Sequence, residues 1–439
     1  MIGTLAVILL LASFVGGSGL FDKFLQSKRR IYYGIIAGLI GGLFGMYGNI
    51  SGVEFEGALI TVRDMGPMFA GFMGGPVGGL IAGLIAGAHR LWIGGVTAKA
   101  CIIATCCIGT VCGILSSKYH RNLVDPRIAF ITGVVSEVFH ITLLLIMVKP
   151  FQTALAIVKG IAVPFILVNA LGFTLLIFML SFMEKQRMMT IEQGRIQSDL
   201  ETARVIQRSL LPPINEQYPA RDEFGICGLM EPAKEVGGDF YDYFFLGKDK
   251  LCLVVADVSG KGIPAAMFMA TSKQTLQSSI RDIPDLEEAV RVANNSMCSG
   301  NDADMFVTAW IGVVDLVSGE VEFISAGHNP PVVIKGGEAS FIEQKSGFVL
   351  AGLEDIKYKK QKTGIEPGDI LLLYTDGVTE AENVKHELFG DDRLLESCSK
   401  ATEKDPDGVI STVREDIDSY VGRADQFDDI TMLCVQLRS

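Results

Sequence analysis

The hydrophobic pattern of the chain changes near residue 186. Before this point, six long apolar runs rich in glycine follow one another, at roughly 2–20, 32–50, 65–88, 98–116, 128–148 and 160–183. A helix needs about 20 apolar residues to cross a bilayer, so the runs predict an α-helical transmembrane bundle of five or six spans over residues 1–183. The first run lacks a basic start and more apolar runs follow it, so we interpret it as an uncleaved span.

Residues 184–213 have a helical pattern of another kind. Ile196, Leu200, Ala203 and Leu210 recur at steps of three and four residues, with Ile206 or Gln207 between the last two, and two prolines end the segment. This stripe predicts a helical connector, with the features of a short coiled coil, that carries signals and forms a dimer. The alternative is a passive linker helix packed on the next domain.

The remaining residues, 214–439, show short strands separated by helices. The predicted strands are Phe224–Met230, Leu251–Ala256, Phe306–Asp315, Val321–Ser325, Asp369–Thr375 and Ile430–Gln436. The predicted helices are Ile263–Arg281, Leu286–Cys298 and Asp407–Tyr420. Many strands with a few longer helices indicate an α+β domain, a β-sandwich flanked by helices.

Charge divides along the same line. Residues 1–186 contain 13 Lys and Arg against 7 Asp and Glu, whereas the rest of the chain contains 25 against 43. Such an acidic half argues against a nucleic-acid partner, since phosphate backbones are bound by Lys and Arg. The nine cysteines include no CxxC pair, so the sequence carries no zinc signal.

Acidic residues stand at the ends of the predicted strands. Asp239 precedes a strand, Asp257 and Asp376 end strands, and Asp428–Asp429 come just before the last one. Carboxylates that meet at one edge of a sheet repel each other unless cations lie between them. Oxygen ligands suit Mg²⁺ or Mn²⁺, so the pattern predicts a two-metal hydrolytic site. The alternative for each residue alone is a cap or turn role.

Ionisable residues also occur within the apolar half: Arg63, His89, Arg90, Glu137 and His140. Such groups in a membrane usually face an interior site, so we expect them to contact a ligand. The alternative is that Glu137 and His140, three residues apart on one helical face, only lock helices together. Between Arg63 and His89, the GPMFAGFMGGPVGG run contains a double glycine and Pro76, which predict a helix break or re-entrant turn.

Six motifs occur in order over residues 200–439: IQRSLLPP, VGGDFYDYF, ADVSGKGIPAAM, SAGHNPP, GDILLLYTDGVTEA and FDDITMLCV. Together they resemble the SpoIIE/RsbU-type serine phosphatases of the PPM (type 2C) family. The resemblance implies two Mn²⁺ or Mg²⁺ ions, with Asp257 bridging them and water activated between them as the nucleophile. The implied ligands are Asp239, Asp257, the Val258 carbonyl, Asp376 and Asp428, with Asp429 in a secondary position.

Phosphate binding is less well marked in these motifs. Eukaryotic members of the family orient phosphate with an Arg, and no Arg stands in a matching motif here. Lys234, just before VGGDFYD, is one candidate. His328 in SAGHNPP is another, although a structural turn role is the alternative.

Residues 33–183 resemble the five-span LytS-type sensor domain, through GPMFAGFMGGPVGG and the following GAHR. The glycine spacing is also similar to that of substrate-binding subunits of vitamin transporters. Both resemblances imply a receptor for a small-molecule or envelope signal.

We therefore expect a multi-pass protein of the bacterial cytoplasmic (inner) membrane, with the phosphatase domain in the cytoplasm. The basic loops at 23–30 and 118–127 fall on opposite sides if all six runs cross, so the positive-inside rule does not settle the count. The implied substrate is a phosphorylated regulatory protein such as an anti-sigma-factor antagonist. The alternatives are a ligand-binding or transport-like protein with a scaffold domain, and a phosphatase of a small metabolite.

Overall fold

The computed structural model describes residues 30–55, 58–118, 125–213, 221, 223–401 and 405–438. The chain divides into two compact units, Met1–Gly194 and Arg195–Ser439. The predicted first span at 2–20 lies outside the described residues.

The first unit is a bundle of helices whose positions match five of the predicted apolar runs. They are α1 (Arg30–Ile50), α2 (Met65–Ile93), α3 (Ala98–Lys118), α4 (Pro126–Met147) and α5 (Phe151–Leu210), with a small hairpin of β1 (Val53–Phe55) and β2 (Ala58–Ile60). Within the described residues, five helices are long and apolar enough to cross a membrane. The prediction of an α-helical membrane bundle is therefore confirmed.

Helix α2 is broken inside the glycine-rich run. Gly75 has φ 69° and ψ −164°, a conformation that side chains disfavour, and Pro76 follows it. The predicted helix break is therefore confirmed. The chain reverses direction here, because Gly45 of α1 lies close to both Pro67 and Ala86, which stand on either side of the break. The two segments of α2 are therefore antiparallel, and the predicted re-entrant turn is confirmed.

The connector is helical as predicted, because α5 continues to Leu210 before the two prolines. Its stripe is exposed, however: Ile196 is 51% and Leu210 40% exposed, whereas the polar Gln207 is only 5% exposed. Gln207, a residue that forms hydrogen bonds, is thus the most deeply buried residue of the part of the connector that belongs to the second unit.

The rest of the second unit is built on two antiparallel sheets of five strands. One has the order β10-β7-β6-β5-β4, from β4 (Phe240–Phe245), β5 (Lys250–Val258), β6 (Val307–Asp315), β7 (Glu320–Ala326) and β10 (Gln361–Gly364). The other has the order β3-β12-β11-β8-β9, from β3 (Phe224–Glu231), β8 (Val332–Lys335), β9 (Glu338–Phe341), β11 (Ile370–Tyr374) and β12 (Ile430–Leu437).

Helices cover the outer face of each sheet, so the domain is a four-layer sandwich. Helices α6 (Ile263–Asp282) and α7 (Leu286–Ser299) pack on the first sheet, and α9 (Gly390–Lys400) and α10 (Pro406–Val421) on the second, while α8 (Asp376–Thr379) is one short turn. On β5, Leu253 and Val255 face the core between the sheets and Val254 faces α6. Each such burial contributes about 1.5–3 kcal/mol, which explains the unbroken apolar run of this strand.

The predicted sandwich flanked by helices is therefore confirmed. Several elements were not predicted, namely the strand β4, the short strands β8, β9 and β10, the hairpin β1–β2 and the helices α8 and α9.

Candidate active site

The sheet registers bring the strand-end carboxyl groups together in pairs. In the first sheet, Phe240 of β4 pairs with Ala256 of the antiparallel β5. The start of β4 and the end of β5 therefore lie at the same edge of the sheet. This register places Asp239 beside Asp257, close enough that, after burial, the Asp257 charge is the next cause of the raised pKa of Asp239.

The second sheet repeats this arrangement. Tyr374 of β11 pairs with Met432 of β12, so the end of β11 lies at the start of β12. Asp376 follows β11 and Asp428 precedes β12, and each of these two carboxylates lies close enough to Asp257 to raise its pKa. The four carboxyl groups thus converge at one end of the sandwich, two from each sheet.

A threonine links the two pairs. Thr375 Oγ1 donates to Asp239 Oδ2 at 2.6 Å, and it accepts from the Thr431 backbone N–H at 3.1 Å. Because Thr375 and Thr431 flank the second sheet's strand ends, this contact fixes Asp239 of the first sheet against the second.

Burial and mutual repulsion hold the carboxyl pKa values high. Burial, followed by the nearby Asp376 carboxylate, raises the pKa of Asp257 to about 7. Burial and then Asp257 raise the pKa of Asp239 well above its usual range, and burial with Asp428 raises that of Asp376. This crowded set of oxygen ligands fits Mg²⁺ or Mn²⁺, because divalent cations relieve both effects.

The predicted backbone ligand, the Val258 carbonyl, lies at the end of β5. A methyl group added at Gly238 would lie 2.7 Å from the Val258 carbonyl oxygen. This oxygen therefore faces the loop that carries Asp239. Its role as a metal ligand stays a prediction.

Asp429 holds the loop before β4. Its Oδ2 accepts from the Gly238 N–H and its Oδ1 from the Ala233 N–H, each at 2.7 Å. A side chain at Gly237 would collide with this carboxylate, so the loop requires glycine there. Both Asp429 oxygen atoms accept from backbone N–H groups, which gives the residue a positioning role. After burial and the nearer carboxyl groups, its charge also contributes to the raised pKa values of Asp239 and Asp257, and its role as a metal ligand stays a prediction.

The two phosphate-binding candidates differ in position. Lys234 lies exposed in the loop before β4, and its role stays a prediction. His328 is buried, with Nδ1 2.9 Å from Thr308 Oγ1 and Nε2 3.1 Å from the Tyr374 carbonyl oxygen. Burial lowers the pKa of His328 to about 4, so the ring is neutral and Nε2–H donates to Tyr374. Both nitrogens are used within the protein, which corrects the phosphate-binding prediction to a structural role.

Lys261 is a cation at the site that the sequence interpretation missed. Its Nζ lies 2.9 Å from Asp428 Oδ2, donates to the Phe427 carbonyl at 2.6 Å and lies 4.2 Å from the centre of the Phe427 ring. The signal was available, since Lys261 stands within ADVSGKG, four residues after Asp257.

Gln207 of the connector is the second missed residue. Its Nε2 donates to the Gly237 carbonyl at 2.7 Å, and its Oε1 accepts from the Gly237 N–H at 3.2 Å. The connector helix thus binds the loop that carries Asp239 through two hydrogen bonds. A polar residue inside an apolar stripe was the sequence signal.

In the first unit, three of the predicted ligand-binding residues surround Asp64. His140 Nδ1 lies 2.7 Å from Asp64 Oδ2 and 3.7 Å from Glu137 Oε2, while Arg63 Nε lies 3.3 Å from Asp64 Oδ1. All four side chains are at most 1% exposed. The sequence placed these residues inside the membrane but did not show that Asp64 joins them.

The other two predicted residues lie on α2. Arg90 is buried and donates from Nη2 to Thr97 Oγ1 at 3.2 Å. His89 is half-buried, with Nδ1 3.4 Å from Asn49 Nδ2. Contact of any of the five residues with a ligand stays a prediction.

Comparison with known proteins agrees with this division of the chain. Residues 247–438 match the family described as Stage II sporulation protein E (SpoIIE), and residues 18–182 match that described as 5TMR of 5TMR-LYT. The phosphoserine phosphatase RsbU of Bacillus subtilis is 30% identical over 229 residues, which are 51% of this chain and 67% of RsbU.

Two further relatives differ in how much of their own length matches this chain. Protein IcfG of Synechocystis sp. is 30% identical over 272 residues, but these cover 56% of this chain and only 42% of IcfG. The solved SiaA-PP2C domain of Pseudomonas aeruginosa is 25% identical with a TM-score of 0.50, covering 57% of this chain and 99% of that domain. With converging carboxylates in the second unit and apolar helices in the first, the chain belongs to the SpoIIE/RsbU-type PPM serine phosphatase family and carries a LytS-type five-span sensor domain.

Proposed function

We propose that this chain is a membrane-bound, signal-regulated protein serine/threonine phosphatase that uses two divalent ions, Mn²⁺ or Mg²⁺. The observation that carries the proposal is the convergence of Asp239, Asp257, Asp376 and Asp428 at one end of the sandwich. The name of RsbU, a phosphoserine phosphatase, supports the same reaction class here.

In this proposal, the four carboxylates bind the ions and Thr375 positions one of the carboxylates. Asp239 and Asp257 would bind from the first sheet, and Asp376 and Asp428 from the second. Bound ions would supply a water of lowered pKa and offset the charge of the phosphoryl group. Thr375 keeps Asp239 in place before any ion binds, so little reorganisation is needed.

The substrate we propose is a bacterial regulatory protein carrying phosphoserine or phosphothreonine, such as an anti-sigma-factor antagonist. A groove lined by Arg414, Val421 and Phe427 runs beside Asp428. Its mixed polar and apolar lining, with Arg414 beside Val421 and Phe427, suits the side chains on either side of a phosphorylated residue in a protein.

The test is phosphate release by the purified full chain in detergent with Mn²⁺. We expect activity on a phosphoserine protein, loss on EDTA addition, and loss in Asp257→Asn, while the exposed Asp249→Asn retains activity. Activity that persists in the presence of EDTA would refute the metal-dependent mechanism. Activity confined to small phosphate esters would point to a metabolite phosphatase, and none on any phosphoester to a scaffold. Phosphoproteomics of a deletion strain would then identify the protein that gains phosphate.

We place the sensor domain in the bacterial inner membrane, the phosphatase domain in the cytoplasm, and a second copy of the chain along the connector. Met189, Ile196, Ala203 and Leu210 repeat every seven residues, and the first two are 48% and 51% exposed. A partner connector would cover this stripe as in a coiled coil. Ile196→Glu should convert a dimer to a monomer in light scattering, whereas Ser198→Glu on another face should not. Equal masses for both variants would contradict the dimer.

A further inference from the structure

We propose that the membrane unit holds a divalent transition-metal ion between Asp64, Glu137 and His140. This site is separate from the phosphatase carboxylates, and it would give the sensor domain a metal as its ligand or as part of its ligand site.

Two parts of the chain bring the three donors together. Asp64 stands directly before α2, while Glu137 and His140 lie one turn apart on the same face of α4. One ligand atom from each residue lies within 4.8 Å of the other two. A carboxylate and a histidine at i and i+3, facing a carboxylate from a second element, is the arrangement by which helical bundles hold metal ions in their cores.

The distances fit a shared ion. Asp64 Oδ2 lies 2.7 Å and Glu137 Oε2 3.7 Å from His140 Nδ1. Two ligands of a tetrahedral ion bound at about 2.0–2.1 Å lie about 3.3 Å apart, so an ion would open the first pair by about 0.6 Å and close the second by about 0.4 Å.

The Glu137 carboxylate is buried and lacks hydrogen-bond partners among the described residues, so its position favours a bound cation. Glu137 is 0% exposed, and among the described residues neither of its carboxylate oxygens has a hydrogen-bond partner. A buried carboxylate with no hydrogen bond costs several kcal/mol in a membrane interior, and a bound cation removes that cost.

The neighbouring groups orient Asp64 and leave one oxygen for the ion. Thr105 Oγ1 donates to Asp64 Oδ1 at 2.6 Å, and Arg63 Nε lies 3.3 Å from the same oxygen. Arg63 Nε also donates to Thr105 at 2.9 Å. Asp64 Oδ2 therefore points toward His140 alone. Such an outer shell fixes metal-binding carboxylates in known sites.

The donor set selects the class of ion. One imidazole with two carboxylates suits Mn²⁺, Fe²⁺ or Zn²⁺, whereas Mg²⁺ and Ca²⁺ take oxygen ligands alone. The two sites of this chain would thus differ in preference, because the phosphatase carboxylates include no nitrogen donor.

The test measures bound metal in the full chain in detergent, with Asp257→Asn and Asp376→Asn in every sample to empty the phosphatase site. After dialysis against Zn²⁺ or Mn²⁺, elemental analysis should give about one ion per chain. Glu137→Gln and His140→Gln should lose it, Thr105→Val should bind about tenfold more weakly, and the exposed Glu54→Gln should retain it. A parent chain without metal, or a Glu137→Gln chain with its full ion, would overturn the site and leave Glu137 a protonated carboxyl.

A second measurement does not depend on the folding of any sensor variant. X-ray absorption of the zinc-loaded parent should show one imidazole with oxygen ligands. A shell of sulfur ligands without imidazole would overturn the proposed donors, since Cys101 lies close to His140. Either result leaves the phosphatase proposal standing, because that is tested by phosphate release.

Discussion

The hydrogen bonds between Gln207 and Gly237 make a prediction about metal affinity. Gln207→Ala removes both, although the residue lies on the connector helix and contacts none of the proposed ligands. The loop that carries Asp239 would then be held by Asp429 and Thr375 alone. We expect the variant to fold and to bind Mn²⁺ more weakly, because part of the binding free energy would be spent on ordering the loop.

The size of the effect follows from the two bonds, at 2.7 and 3.2 Å, on a side chain that is 5% exposed. A buried neutral hydrogen bond contributes about 0.5–1.5 kcal/mol, so their loss costs about 1–3 kcal/mol. If this cost falls wholly on the metal-bound state, Mn²⁺ affinity drops by about tenfold to a hundredfold.

The assay is a Mn²⁺ titration of phosphate release by the full chain, together with calorimetric Mn²⁺ binding. The control is Gln197→Ala, which removes an exposed glutamine from the same helix. An unchanged half-saturating Mn²⁺ concentration in Gln207→Ala would refute the reasoning, as would an equal shift in Gln197→Ala. A lower kcat at saturating Mn²⁺ with normal affinity would mean that the contact acts on turnover and not on metal binding.

Three further predictions concern the same domain. His328 has a folded pKa of about 4, below its unfolded value of about 6.5, so its contribution to stability is complete above pH 6.5 and is lost as pH falls toward 4. The loss is about 3 kcal/mol, and thermal unfolding of His328→Gln should depend less on pH over this range than that of the parent; equal slopes would contradict this. Lys261→Met removes the ammonium beside Asp428 and should raise KM for the phosphorylated substrate about tenfold with a smaller change in kcat, whereas a change in kcat alone would assign Lys261 another role. Asp429→Ala leaves two backbone N–H groups without their acceptor and should destabilise the domain by about 3 kcal/mol in denaturant unfolding, with Asp429→Asn intermediate; a neutral Asp429→Ala would contradict the positioning role.

Much of this molecule could be predicted from the sequence because its cores have simple periods. The apolar runs of the first unit are as long as a bilayer is thick, and each predicted run from residue 32 onward is a helix. Strand β5 reads as an unbroken apolar segment because helices cover one face and a second sheet the other. Convergence of Asp239 and Asp257 follows from the antiparallel pairing of β4 with β5, but β4 itself was not predicted, so the pattern indicated only that acidic residues stand near strand ends.

The contacts that determine individual roles could not be predicted in this way, because they join distant parts of the chain. Asp64 and His140 are 76 residues apart and meet only through helix packing. Gln207 lies at a position where the stripe calls for an apolar residue, and its burial depends on a loop 30 residues later. Periodicity reports which face of an element is covered, but it does not report what covers that face.

The adjacent residues Asp428 and Asp429 illustrate this difference. Their chemistry is identical and they precede the same strand, yet the Asp428 carboxylate lies beside Lys261, while that of Asp429 accepts backbone N–H groups of the loop before β4. Adjacent side chains at the start of a strand point in different directions, so the two carboxylates have different partners. The loop that Asp429 holds from one side is the loop that Gln207 holds from the other, and it carries Asp239. Under the proposed regulation, a shift of the connector helix would act on Asp239 through one backbone unit, Gly237. Signal input would then need no larger rearrangement of the sandwich to change metal binding.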